Sequence, residues 1–277
     1  MTELDWRALN RANWDERVPI HLSAPNGYDQ TSLRTGTARL GPITSAVLGP
    51  VTGMNILHLQ CHFGMDSLTF AQQGASVVGL DFSEPAILAA RNLAAEIGLA
   101  DRTRFVLADL YDAPSALPEP ASFDRVFVSW GALCWLPDMA GWGRVVAHFL
   151  KPGGWLALAE AHPAAYVFDD ATRSTEGMPG WFVPYLGRAA FEINKSDDYA
   201  NPDARLTNAR TVEWLHPLSD IIMGLLNAGL RLDLLHEHDT VAWKMFECLV
   251  PDSRGGFRWP DKPWLPLAYS LRATKPA

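Results

Sequence analysis

Between Asn55 and Glu160 short runs of consecutive apolar residues alternate with longer segments whose apolar positions return every three or four residues. Asn55 to Gln60, Ala75 to Leu80, Arg104 to Ala108, Asp124 to Ser129 and Trp155 to Glu160 are of the first kind. Such runs suit parallel strands covered on both faces. The intervening segments predict helices. One runs from Gly64 to about Gln73; the next starts at Ser83, an N-cap residue followed by Glu84 and Pro85, and buries Ile87, Ala90, Ala94 and Ile97 before Gly98 stops it. A third, Met139 to Leu150, places Trp142, Val145, Val146 and Phe149 on one face. This rhythm predicts an α/β fold with a doubly wound, mostly parallel sheet.

The flanks read differently. Residues 1–53 are polar and turn-rich, with one short apolar helix expected within Pro42 to Leu48, and are read as a cap carrying His21 and Tyr28 as candidate ligand contacts. The core is taken as residues 54–160. Residues 161–215 break the rhythm with Pro163, Pro179 and Pro184, and are read as a lid or substrate insertion in which FEINKSDDYA supplies a strand and Arg210 to His216 its partner. Residues 216–277 return to the core: a helix capped by Ser219, then strands Leu230 to Leu235 and Leu267 to Ala273, which complete seven strands.

The loop after the first strand decides between cofactors. A dinucleotide site wants G-x-G-x-x-G there, and this chain has Gln60, Cys61, His62 and Gly64. Asp81, ending the second strand, suits ribose hydroxyls; Asp109, ending the third, can accept from an adenine amino group. The strings LHLQCHFG, GLDFS, ADL, SWGALCWLPD and LKPGG resemble, in order and spacing, the class I S-adenosylmethionine-dependent methyltransferases. The likeness is strong over about residues 45–160 and weaker over 216–275. It departs from the pattern D-x-G-x-G-x-G at His58, Gln60 and His62, as in a bacterial subgroup with LQCHFG. The resemblance implies that Gln60, Cys61, His62 and Gly64 lie along the methionyl part of S-adenosylmethionine and that Asp81 binds its ribose. It further implies that Phe82 flanks the adenine, that Asp109 and Leu110 meet its edge, and that Ser129 and Trp130 sit beside the sulfonium. The implied activity is methyl transfer to a small-molecule acceptor, at oxygen or nitrogen.

Composition narrows the partners. A net charge of −8 and no Lys/Arg cluster argue against nucleic acid or an anionic membrane. With no targeting pattern and three scattered cysteines, a cytoplasmic location is expected. Trp135, Trp181, Tyr185 and Trp214 suggest an aromatic lid for a planar or apolar acceptor. His162, just past the fifth strand, is the first candidate for a base and His216 the second. No metal is expected: His58, Cys61 and His62 lack ligand spacing, and His236 and His238, which share one face of a strand end with Glu237 between them, lack a matching Cys or carboxylate set. Two alternatives stay open, an NAD(P)-dependent oxidoreductase and a non-catalytic binding protein on a decayed methyltransferase fold.

Overall fold

The computed structural model describes residues 5–24 and 28–277. In order, its core elements are α1 (Trp6–Ser23), α2 (Thr31–Arg34), α3 (Pro42–Leu48), β1 (Asn55–Leu59), α4 (Met65–Gln72), β2 (Ser76–Asp81), α5 (Glu84–Glu96), β3 (Thr103–Leu107), α6 (Ala113–Ala116), β4 (Phe123–Ser129), α7 (Met139–Phe149) and β5 (Leu150–Ala161). The insertion contains β6 (Phe168–Asp169), β7 (Gly180–Trp181), β8 (Phe191–Asn194) and β9 (Arg210–Glu213). Then follow α8 (Leu218–Asn227), β10 (Arg231–His238), β11 (Thr240–Val241), β12 (Val250–Pro251), β13 (Phe257–Arg258) and β14 (Ala268–Thr274).

Seven strands form one sheet in the order β10, β14, β5, β4, β1, β2, β3. All are parallel except β14, which runs antiparallel to both neighbours. The chain therefore starts at β1 in the middle, works outward through β2 and β3, and returns to β4 on the other side. That reversal opens a crevice at the carboxyl ends of β1 and β4. One face packs α7 and α8 through Trp142, Val146, Phe149, Ile221 and Leu225. The other packs α3 and α4 through Val47, Leu48 and Phe70, with α5 joining through Ile87, Ala90 and Leu93.

Three sequence expectations need correction. The cap is no irregular segment, because α1 runs for 18 residues from an N-cap at Asp5, whose carboxylate accepts from the Ala8 N–H. Its buried residues include Asn10, Asn13 and His21, so the hidden face is polar and gave no apolar period. The fifth strand starts earlier than Trp155: Leu150 to Gly154 belong to β5 as well, which meets β4 through a register shift between Phe123 and Arg125. Helix α8 starts one residue before Ser219, with Pro217 at the N-cap position. Within the insertion, β8 pairs antiparallel with β9, Phe191 opposite Glu213. A small three-stranded sheet, β11, β13 and β12, occupies the connection between β10 and β14.

Candidate active site

At the end of β1 the backbone turns through two left-handed non-glycine residues, Gln60 (φ 55°) and His62 (φ 51°), before Gly64 (φ 78°). Gly64 has a packing reason as well: a Cβ there would lie 2.6 Å from the Phe105 ring. The loop is tied to the end of β2 by Asp81. One carboxylate oxygen accepts from the His62 N–H at 2.8 Å and the other from the Ser83 N–H at 3.0 Å. Burial pushes the Asp81 carboxyl up to about 6 even though the N–H groups of Ser83, His62 and Phe82 favour its charge. Asp109, at the third strand end, accepts from the Tyr111 N–H and sits 3.4 Å from Arg7 of α1. Phe82 lies under the Arg11 guanidinium at 5.9 Å, and Leu110 is buried in the main core.

Around the end of β4, Ser129 hydroxyl donates to Asp66 at 3.4 Å, and burial pushes Asp66 up to about 6. Trp130 (φ 38°) donates from its indole N–H to the Thr44 hydroxyl and meets Trp243 edge to face. The following residues are gathered by Glu160 on β5, which accepts from the N–H groups of Gly131, Ala132, Leu133 and Ala161. Gln60 joins the same segment by donating to the Ala132 carbonyl at 2.9 Å, while its buried Oε1 has no donor among the described residues. Cys61 is buried, with its thiol pushed well up by burial, and so packs without reacting.

The two histidines proposed as bases differ in what their nitrogens face. His162 Nδ1 already accepts from the Ala164 N–H, and Nε2 lies 3.0 Å from Glu237 but off the line of a hydrogen bond. A neutral His162 therefore keeps no bare lone pair. His216 donates from Nε2 to the Leu136 carbonyl at 2.6 Å, which leaves Nδ1 bare. Burial lowers its pKa, keeping the ring neutral. His216 lines a narrow cavity of about 20 Å³ with Cys134, Glu160, Tyr166, Trp214 and Tyr269.

Of the aromatic residues expected in a lid, Trp214 lines that cavity and meets Trp6 edge to face, and Trp135 meets Trp14 of α1 in the same way. Tyr185 instead accepts from the Leu218 N–H at the start of α8. Trp181 is 76% exposed, against Phe168 on the outer hairpin.

His21, Tyr28 and His62, named from the sequence, join Arg17, Asp198 and Tyr199, which were not, in a group that links the N-terminal segment to the insertion. His21 Nδ1 lies 2.9 Å from His62 Nε2, and His21 Nε2 lies 3.1 Å from Asp198. Arg17 donates to the same Asp198 oxygen at 2.8 Å. Burial opposes the Asp198 charge, but the bonds from His21 and Ala200 and the charge of Arg17 hold its carboxyl down to about 2. Tyr28 stacks on His21 and shares a 2.7 Å hydrogen bond with Tyr199. His58 is separate, buried mid-strand on Ser67. Among the described residues no cluster of three or more His, Cys, Asp or Glu could hold a metal, and no helix is long and apolar enough to cross a membrane.

The sheet order, with its antiparallel last strand, and the acid-ended β2 beside the β1 loop define a Rossmann-like fold of the methyltransferase kind. Residues 56–154 match the family described as methyltransferase domain. The methyltransferase GfsG of Streptomyces halstedii is 33% identical over 127 residues, covering 46% of this chain and 44% of that protein. A ubiquinone biosynthesis O-methyltransferase of Pseudomonas aeruginosa is 33% identical over 168 residues, covering 59% and 64%. The match thus spans 44% to 64% of these relatives' lengths. A solved S-adenosylmethionine-dependent methyltransferase from Mesorhizobium loti superposes with a TM-score of 0.57 at 24% identity, covering 84% of this chain and 96% of that one. Residues 56–154 thus match a methyltransferase domain, and the chain shares its fold with a solved S-adenosylmethionine-dependent methyltransferase.

Proposed function

We propose that the protein transfers a methyl group from S-adenosylmethionine to a small-molecule acceptor, at oxygen or nitrogen. The observation that carries this is Asp81. A buried carboxylate at the end of β2, oriented by backbone N–H groups and joined to the β1 loop, suits a ribose diol. The donor set around it fits the rest of the cofactor: Asp109 stands at the adenine side, and the bare acceptor Gln60 Oε1 answers the amino group of a methionyl end. When bound, the sulfonium supplies an electrophilic methyl group.

This chain's residues then have three tasks. Asp81 and the 60–64 loop orient the cofactor. Helix α1, with Trp14 over His62 and Trp6 against Trp214, keeps water from the reacting end. His216 takes the proton of an acceptor hydroxyl through its bare Nδ1, with the tautomer set by the Leu136 carbonyl. His162, whose Nδ1 is occupied, supports the end of β5.

A screen of phenols, alcohols and amines with S-adenosylmethionine, read by mass spectrometry, tests the proposal. A product heavier by one methylene unit is expected. With a hydroxyl acceptor, His216→Ala should lower kcat by roughly 100-fold or more while KM for the cofactor holds. Methylation undiminished in that variant would remove His216 from the mechanism, and no transfer to any acceptor would count against the activity.

A further inference from the structure

The β1 loop holds side chains where small residues would leave space, and two of them end in acceptors without donors. Gln60 Oε1 is buried and unpaired, and Gln60 Nε2, by donating to Ala132, fixes which way the amide faces. The second acceptor is His62 Nδ1, which has no hydrogen-bond partner among the described residues, and its state is set from a distance.

The chain of control starts at Asp198. Its Oδ1 receives the N–H groups of Ala200 and Asn201, and its Oδ2 receives Arg17, so it is held as an anion with no proton to give. His21 donates from Nε2 to Asp198, and in the tautomer with that single N–H its Nδ1 accepts. His62, 2.9 Å away, fills that place by donating from Nε2. Burial lowers the pKa of His62 well below the ordinary imidazole value, which keeps its ring neutral. A neutral imidazole carries one N–H, so His62 Nδ1 presents a lone pair. Both the His21 and Asp198 side chains are fully buried, so water does not compete for these bonds.

We propose that Gln60 Oε1 and His62 Nδ1 together receive the amino group of the methionyl end, with His21 and Asp198 as positioning residues that hold His62 in its Nε2–H form. This rests on the cofactor reading above. An ammonium group offers three N–H donors, and two acceptors from alternate positions of one tight loop meet two of them. The arrangement also assigns a use to the large side chains at positions 60 and 62. They replace backbone approach with side-chain hydrogen bonds, and the second of them is oriented by the cap and the insertion.

Calorimetry on the full chain with two probes tests this. S-adenosylhomocysteine carries the amino-acid end and methylthioadenosine lacks it. His62→Phe, Gln60→Met and Asp198→Asn should each weaken S-adenosylhomocysteine by about tenfold or more, the scale of losing an orienting partner, and leave methylthioadenosine unchanged. Asp198→Asn acts by allowing the opposite tautomer, which turns His62 Nδ1 into a donor facing a donor. Nitrogen NMR of labelled histidine should show His62 as Nε2–H in the parent and Nδ1–H in Asp198→Asn. Unchanged S-adenosylhomocysteine affinity in the three variants, equal losses for both probes, or an Nδ1–H parent would each overturn the proposal. Failure of the parent to bind either nucleoside is a different result, and it would remove the cofactor reading itself.

Discussion

Asp81 sits between opposing demands, since burial penalises its charge while three backbone N–H groups favour it, and burial prevails. Asp66 is raised to about 6 and Glu213 to about 7 for the same first reason. A carboxyl whose folded pKa exceeds its unfolded value makes the folded state the better proton binder. Stability from such groups is fully present below the unfolded pKa and is lost as pH rises through the folded one. Asp198 works the other way, but with a pKa near 2 its contribution fades only under more acidic conditions. The buried histidines His58, His62, His162 and His216, whose pKa values are lowered by burial, oppose this trend, so the test is a difference: the unfolding midpoint of the ligand-free parent should rise relative to that of Asp81→Asn as pH falls from about 7.5 to about 5. A difference that does not change with pH over this range would show that the Asp81 carboxyl is not raised. At this scale Asp81 and Asp109 were legible because an acid closing an apolar strand is a local pattern. His21 with Asp198 was not, because the two meet across 177 residues with no shared period.

The elements show where packing rather than propensity decides. Helices α7 and α8 cross through Gly143 and Gly224, and a Cβ at Gly143 would collide with the Gly224 carbonyl. The collision partner is backbone, so relief requires the helices to part. Gly143→Ala should cost about 1–3 kcal/mol in denaturant unfolding, even though alanine favours a helix. An unchanged midpoint would mean that the crossing is looser than described. The strands and the helices α4, α5 and α7 could be read from periodicity because their hidden faces are apolar. Helix α1 escaped that logic, since Asn10 and Asn13 bury amide groups that bond to the Val212 and Asn208 carbonyls. The pairing of β8 with β9 falls within the two segments expected to pair, whereas the two-residue strands of the small sheet carry too little pattern to detect.

Across the whole molecule, the N-terminal segment and the insertion after β5 are bonded into one unit. Helix α1 holds the insertion through Asn10 with Val212, Glu16 with the N–H groups of Thr207 and Asn208, and Arg17 with Asp198. On its other side it holds the core through Asp15 with Ser83, Arg7 with Asp109, and His21 with His62. Helix α1 thus contacts the β1 loop at His62, the end of β2 at Ser83, Asp109 after β3, and the insertion at Asp198 and Val212. Nothing local announces this, since each contact joins positions far apart in sequence. The most direct test of the central claim is calorimetric titration of the purified chain with S-adenosylhomocysteine and with NAD, repeated on Asp81→Asn. S-adenosylhomocysteine should bind at one site per chain, NAD should not compete for it, and the substitution should weaken binding at least tenfold by removing a charged acceptor from the ribose. Binding of NAD in preference to S-adenosylhomocysteine, or an affinity indifferent to Asp81, would contradict the account.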